Sequence, residues 1–243
     1  MPLAVRVIPV VLYKGTQAVK SVNFKNHRNI GSVVGQAKLY NARNVDELIL
    51  LDIDSSTPNW NGIKAFGEVL FCPFTVGGGF RSFEEVQKAI SLCADKVAIP
   101  FTKFKSCYIN ELSEHYGKQA IVCTIDVAGG ELYYPKYPTA LEGESLSGAI
   151  YEASYYCGEI LLTSVDREGT MKGYDLDLIE YVKNLNVEVP VVINGGAGKP
   201  KDFVDAVNMG ADALAASSIF QFTKVTPKMV KEEMAKAGIN VRL

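Results

Sequence analysis

The sequence predicts a closed (β/α)8 barrel, an α/β fold of eight parallel strands ringed by helices, and three observations carry that expectation. Eight short β-rich runs recur along the chain, helical apolar spacing lies between them, and the second half repeats features of the first. The runs are AVRVIPVV (4–11), ELILLDI (47–53), VLFCPFTV (69–76), DKVAIP (95–100), QAIVCTID (119–126), GEILLTSV (158–165), VPVVIN (189–194) and ADALAASS (211–218). They are apolar almost throughout, as strands buried on both faces must be. Helical spacing appears in SVVGQAKLYNA (32–42), SFEEVQKAISL (82–92), LSGAIYEASYY (146–156) and PKDFVDAVNMG (200–210). Eight such units in 243 residues favour closure over an open doubly wound sheet, which is the second choice.

The repeat has an offset of 117 positions. It sets Pro73 on Pro190, Gly78-Gly79 on Gly195-Gly196 and Ala94-Asp95 on Ala211-Asp212. With a slightly different offset, ELILLDIDSS (47–56) echoes EILLTSVDRE (159–168). Two half-barrels, about 1–117 and 118–243, explain both, and no linker-like composition divides the single domain.

Composition narrows the function. With 25 basic and 27 acidic residues, no overall field attracts nucleic acid or an anionic membrane, whereas a small anion bound by local dipoles remains possible. Cys72, Cys93, Cys107, Cys123 and Cys157 include no C-x-x-C pair, and no apolar run is long enough to span a bilayer. Arg6 interrupts the first apolar run and no small-residue cleavage signal follows. A reduced, soluble, cytoplasmic protein is expected.

In such barrels the loops after the strands line the active mouth. The third and seventh strands run into VGGGFRS (76–82) and NGGAGKP (194–200), where glycine lets the backbone approach a phosphate closely. Either cluster could equally be a tight turn without a ligand. The repeat separates them. The eighth strand ends in Ser217-Ser218, two hydroxyl donors, and the fourth ends in Pro100-Phe101, which offer neither a proline N–H nor a hydroxyl. Gly169, Gly196, Ser217 and Ser218 are therefore the expected phosphate-binding residues, and the first-half pocket looks damaged.

Asp52, Asp126 and Asp166 stand at strand exits, where a carboxylate can act as general acid or base, although capping and loop hydrogen bonds are the plainer roles. Asp126, ending an apolar strand before VAGG, is the best catalytic candidate, and the plainer role suits Asp166. The two histidines, His27 and His115, have no metal-ligand spacing, so no metal is expected, and His115 reads as a helix-end residue. At the strand starts, Arg6, Glu47, Lys96 and Glu159 would form a salt-bridged ring on the barrel floor. Such a ring could be a stability plug, yet burying four charges asks for a reason beyond stability.

The segments VDELILLD (45–52), TVGGGFRS (75–82), ADKVAI (94–99), GEILLTSVDREGT (158–170), GGAG (195–198) and GINVRL (238–243) resemble the cyclase subunit of imidazole glycerol phosphate synthase, the HisF family, from end to end. The resemblance implies a barrel of two half-barrels that pairs with a glutaminase subunit at its floor and passes ammonia to a substrate at its mouth. It implies an ammonia gate of Arg6, Glu47, Lys96 and Glu159, and a glutaminase-facing floor residue in Asp95. It calls for no cofactor. Of the family's two catalytic aspartates, the second matches Asp126 and the first falls on Leu12, which cannot exchange a proton. Lys20, in the long polar loop after the first strand, is retained, and Glu168 stands where the family usually has aspartate. An intact floor under an altered mouth resembles family relatives from surface-polysaccharide gene sets. These work with a glutaminase and a separate sugar amidotransferase to convert an acetamido to an acetamidino sugar, so a small phosphorylated or nucleotide-linked substrate is expected. The alternatives are a genuine cyclase of histidine biosynthesis and a non-catalytic conduit that activates the glutaminase. A sugar-phosphate isomerase is disfavoured, because that chemistry wants an acid at the first strand exit as well.

Overall fold

A computed structural model describes residues 3–53, 58–101, 106–133 and 143–243. Among them, the strands are β1 Arg6–Lys14, β2 Gln17–Val22, β3 Lys25–Ser32, β4 Leu48–Asp52, β5 Phe74–Gly77, β6 Lys96–Pro100, β7 Ile121–Ala128, β8 Glu131–Leu132, β9 Glu159–Ser164, β10 Val191–Asn194 and β11 Ala213–Ala216. The helices are α1 Val33–Ala42, α2 Trp60–Gly67, α3 Phe83–Ser91, α4 Ser106–Tyr116, α5 Leu146–Tyr156, α6 Leu176–Leu185, α7 Pro200–Met209, α8 Ser218–Phe222 and α9 Pro227–Lys236. Strands β1, β4, β5, β6, β7, β9, β10 and β11 pair in that order, all in parallel, and β11 pairs back onto β1. The sheet is therefore the closed eight-stranded barrel that the apolar runs predict.

Strand alternation sorts each side chain inward or outward. Ile8, Val10, Leu12, Ile49, Ala98, Val122, Leu161, Val192, Ala213 and Ala215 fill the lumen. The alternate residues, among them Val7, Val11, Leu48, Leu50, Val97, Ile121, Ile160 and Leu214, pack outward against the helices. Local sequence fixes where helices begin and end. Ser82 and Ser145 cap α3 and α5 by accepting from the backbone N–H of Glu85 and Gly148. Pro200 opens α7, and Gly210, at φ +113°, closes it.

Several expected boundaries move. The third run begins only at Phe74, because Pro73 has no N–H for a ladder and the segment before it turns Phe71 out to solvent. The first strand runs on to Lys14, and the polar stretch beyond it is an antiparallel hairpin of β2 and β3 rather than a loop. Lys20 therefore sits on a strand. The hairpin escaped the sequence reading because every residue of β3 is exposed or half-buried, leaving no apolar alternation to see.

Candidate active site

The floor is built by the first residues of β1, β6 and β9 and by Glu47, the residue just before β4. Arg6 Nη1 donates to Glu47 Oε2 at 2.8 Å, and Arg6 Nη2 donates to Glu159 Oε1. Lys96 Nζ donates to Glu47 Oε1 at 2.8 Å and to Glu159 Oε2 at 3.1 Å. Each carboxylate thus bridges both cations in a closed ring of alternating charge. The carboxylates are buried, and Arg6 and Lys96 keep 29% and 24% of their side-chain surface, so solvent reaches the ring through its cations. Burial works against the Arg6 charge, but Glu159 and Glu47 outweigh it and its pKa is raised. Asp95, beside this floor, is exposed and accepts from the Phe74 N–H at 2.9 Å, a contact that splices one strand start to the next.

At the opposite end, alternation decides which acids reach the lumen. Asp126 shares the inward face of β7 with Val122, while Asp52 shares the outward face of β4 with Leu48 and Leu50. Asp52 consequently does not project into the mouth. It accepts from the Asn59 N–H at 3.3 Å and lies beside the buried Tyr13 phenol, whose pKa is raised by burial and by that charge. Asp166 accepts from the Gly129 N–H at 2.6 Å, the loop role that suited it. Asp126 is half-buried at the rim and in register with Thr163. Desolvation pushes its pKa up to about 7, opposed by a hydrogen bond from Thr163. Leu12 stands on the inward face of β1, in the apolar lumen cluster, at the level where the resemblance would put a second acid.

The hairpin folds Lys20 over the rim. Its Nζ donates to Glu168 Oε1, and the Ser21 hydroxyl reaches Glu168 Oε2 at 3.4 Å. Burial lowers the Lys20 pKa, to about 7, even with that carboxylate against it. The Asn23 N–H donates to the Glu168 carbonyl at 3.0 Å and the Asn23 side chain to the Val165 carbonyl at 2.7 Å, clamping the hairpin to the loop after β9.

Beneath the hairpin, Lys20, Glu168, Gly169, Asn194, Gly196 and Ser217-Ser218 line a cavity of about 10 Å³. All four expected phosphate-binding residues meet here. Gly196, at φ +106°, lies so close to the chain that a Cβ would come within 2.2 Å of the Gly173 carbonyl oxygen. The hydroxyls of Ser217 and Ser218 are buried, with no partner among the described residues. Paired orphan donors beside backbone that only glycine can bring so near suit an anion's oxygens. At the repeat-related position of the first half, Phe101 is buried in the core between the barrel and its helices, and Phe80, also buried, stacks with Trp60.

A sequence-family model described as "Histidine biosynthesis protein" matches residues 6–226. The chain belongs to that family, as a divergent member of its HisF branch. It is 44% identical, over 99% of both chains, to a protein of Campylobacter jejuni named putative imidazole glycerol phosphate synthase subunit hisF2. It is 38% identical to the imidazole glycerol phosphate synthase subunit HisF of Corynebacterium diphtheriae, over the full length of both. It is also 38% identical to the HisF subunit of Chlorobium limicola, over 99% of this chain and all of the other. Two HisF-branch mouth residues escaped the sequence reading. Thr163 and Asn194 lie inward on β9 and β10, in register with each other, and Asn194 Nδ2 donates to Thr163 Oγ1 at 3.2 Å. Counting by twos from the lumen residues Leu161 and Val192 would have found both. Among the described residues, no cluster of three or more histidine, cysteine or acidic side chains is placed to hold a metal ion, and no helix is long and apolar enough to cross a membrane.

Proposed function

We propose that this chain is the synthase subunit of a glutamine amidotransferase complex. In this reading it takes ammonia from a glutaminase at its floor, through the barrel, to a mouth that no longer closes an imidazole ring. The supporting observation is an intact ring of Arg6, Glu47, Lys96 and Glu159 under a rim where Leu12 stands across the barrel from the lumen-facing carboxylate of Asp126. A proton-transfer pair with one member replaced by a hydrocarbon loses a step worth about 10²–10⁴-fold in rate. The delivery route, by contrast, keeps every charge.

In this account Asp126, with a pKa near neutrality, moves the proton at the mouth, and Lys20 lies over the bound substrate. Gly169, Gly196, Ser217 and Ser218 hold one phosphate, and Pro100 and Phe101 offer no hydroxyl for a second. That favours a substrate with a single anionic end. The proposed outcome is exchange of the carbonyl oxygen of an acetamido sugar for nitrogen, giving an acetamidino sugar of surface polysaccharide, with a separate sugar amidotransferase activating the acceptor. Asp95 is assigned to the glutaminase-facing surface.

The two half-barrels belong to the same reading. Gly78 and Gly195 share φ of +103° and +101° at the repeat offset. The Asp95 bond to the Phe74 N–H returns as Asp212 to the Val191 N–H at 3.0 Å.

Lys96→Glu tests the conduit in the complex reconstituted with its glutaminase. Glutamine-driven product should fall by about tenfold or more, a barrier change of roughly 1.4 kcal/mol, with ammonium-driven product preserved. Equal losses with both nitrogen sources would contradict the route.

A further inference from the structure

We propose that Thr163 and Asn194 are positioning residues that, with Asp126, form a three-member hydrogen-bond relay across the barrel mouth, from β10 through β9 to β7. The three side chains occupy in-register inward positions on adjacent strands, Asp126 beside Thr163 and Thr163 beside Asn194. A hydroxyl is one donor and an acceptor at once. Because the amide of Asn194 donates to Thr163 Oγ1 at 3.2 Å, the hydroxyl's acceptor side is occupied and its own proton is left to give. The group beside it on the other flank is the Asp126 carboxylate, an acceptor. The relay thus has a sense: amide to hydroxyl to carboxylate.

Thr163 is almost fully buried, so no competing water on its own side relieves Asn194 of fixing it. Two influences bear on the Asp126 proton, burial raising its affinity and the Thr163 hydroxyl lowering it, and among the described residues no charged side chain contributes. Of these two influences the hydroxyl is the one that draws the pKa back toward neutrality, where a group exchanges protons best. Asn194 also lines the cavity that holds Ser217 and Ser218. It therefore joins the phosphate corner to the proton-transfer corner through a single side chain.

This inference rests on the reading of Asp126 as the proton-transfer group, and the test separates the two. In the full chain labelled with ¹³C-aspartate, the Asp126 carboxyl signal is assigned by its disappearance in Asp126→Asn and followed against pH. Thr163→Val, which keeps the shape and removes the donor, should raise the midpoint by about one pH unit, and Thr163→Ser should restore it. Asn194→Ala should raise it by about half a unit in the parent chain and leave it unmoved in Thr163→Val, the non-additivity that distinguishes a relay from two separate contacts. Should Thr163→Val not fold, Asn194→Ala alone carries the test. An unchanged midpoint in these variants, or additive shifts, would overturn the relay. If the shifts appear while Asp126→Asn retains full turnover, the relay stands and the functional reading of Asp126 falls.

Discussion

Replacing Asp126 by Asn should stabilise the protein at alkaline pH relative to acid, while abolishing its chemistry. The carboxyl pKa rises from an ordinary 3.8 to about 7 because the rim takes the group out of water and the Thr163 hydroxyl only partly offsets that. An acid whose folded-state pKa lies above its unfolded value binds its proton more tightly in the fold. Stability therefore falls as pH rises from near 4 through 7, and the cost is constant above that. Three pKa steps at about 1.36 kcal/mol each correspond to roughly 4 kcal/mol at most. The partial opening of the group to solvent at the mouth brings the expected cost to about 2–3 kcal/mol. Asparagine keeps the shape and does not titrate. In urea unfolding at pH 5 and pH 8, the difference between variant and parent should move in the variant's favour by about 1–2 kcal/mol on going to the higher pH, part of the cost being already present at pH 5. The same difference at both pH values would show that Asp126 titrates as an ordinary surface acid, and the proposed proton-transfer role would lose its basis.

Two further outcomes follow from the proposed phosphate-binding role of Gly196 and Ser218. Ser218→Ala removes a buried hydroxyl with no partner among the described residues, so unfolding free energy should rise by about 1 kcal/mol while affinity for inorganic phosphate, followed by titration calorimetry, falls about five- to tenfold. Gly196→Ala should lower stability by about 2–3 kcal/mol in the same urea assay, since it places a Cβ against the Gly173 carbonyl at a left-handed φ of +106°.

The fold was legible because its signals are local and repeated. Eight apolar runs with helical spacing between them leave few arrangements, and the serine caps, Pro200 and Gly210 punctuate the helices where the sequence places them. The floor was legible for the same reason, since Arg6, Lys96 and Glu159 each open a strand and Glu47 immediately precedes one. What stayed hidden depends on direction and on long-range approach. Asp52 and Asp126 look alike as acids ending apolar runs, and only strand parity turns one toward Asn59 and the other into the lumen. The closure of Lys20 onto Glu168 joins residues 148 positions apart through a hairpin whose outer strand has no apolar pattern. Thr163 and Asn194 were passed over because neither is ionisable, and their part emerges only when three strands stand side by side.

The most direct test of an intact floor serving an altered mouth is to supply the isolated chain with the histidine-pathway precursor of imidazole glycerol phosphate and an ammonium salt, and to follow product. With Leu12 in place of an acid, turnover should lie at least about 100-fold below that of an authentic cyclase subunit assayed alongside. Turnover comparable to the authentic subunit would mean that Asp126 alone carries both proton transfers, and would contradict the account.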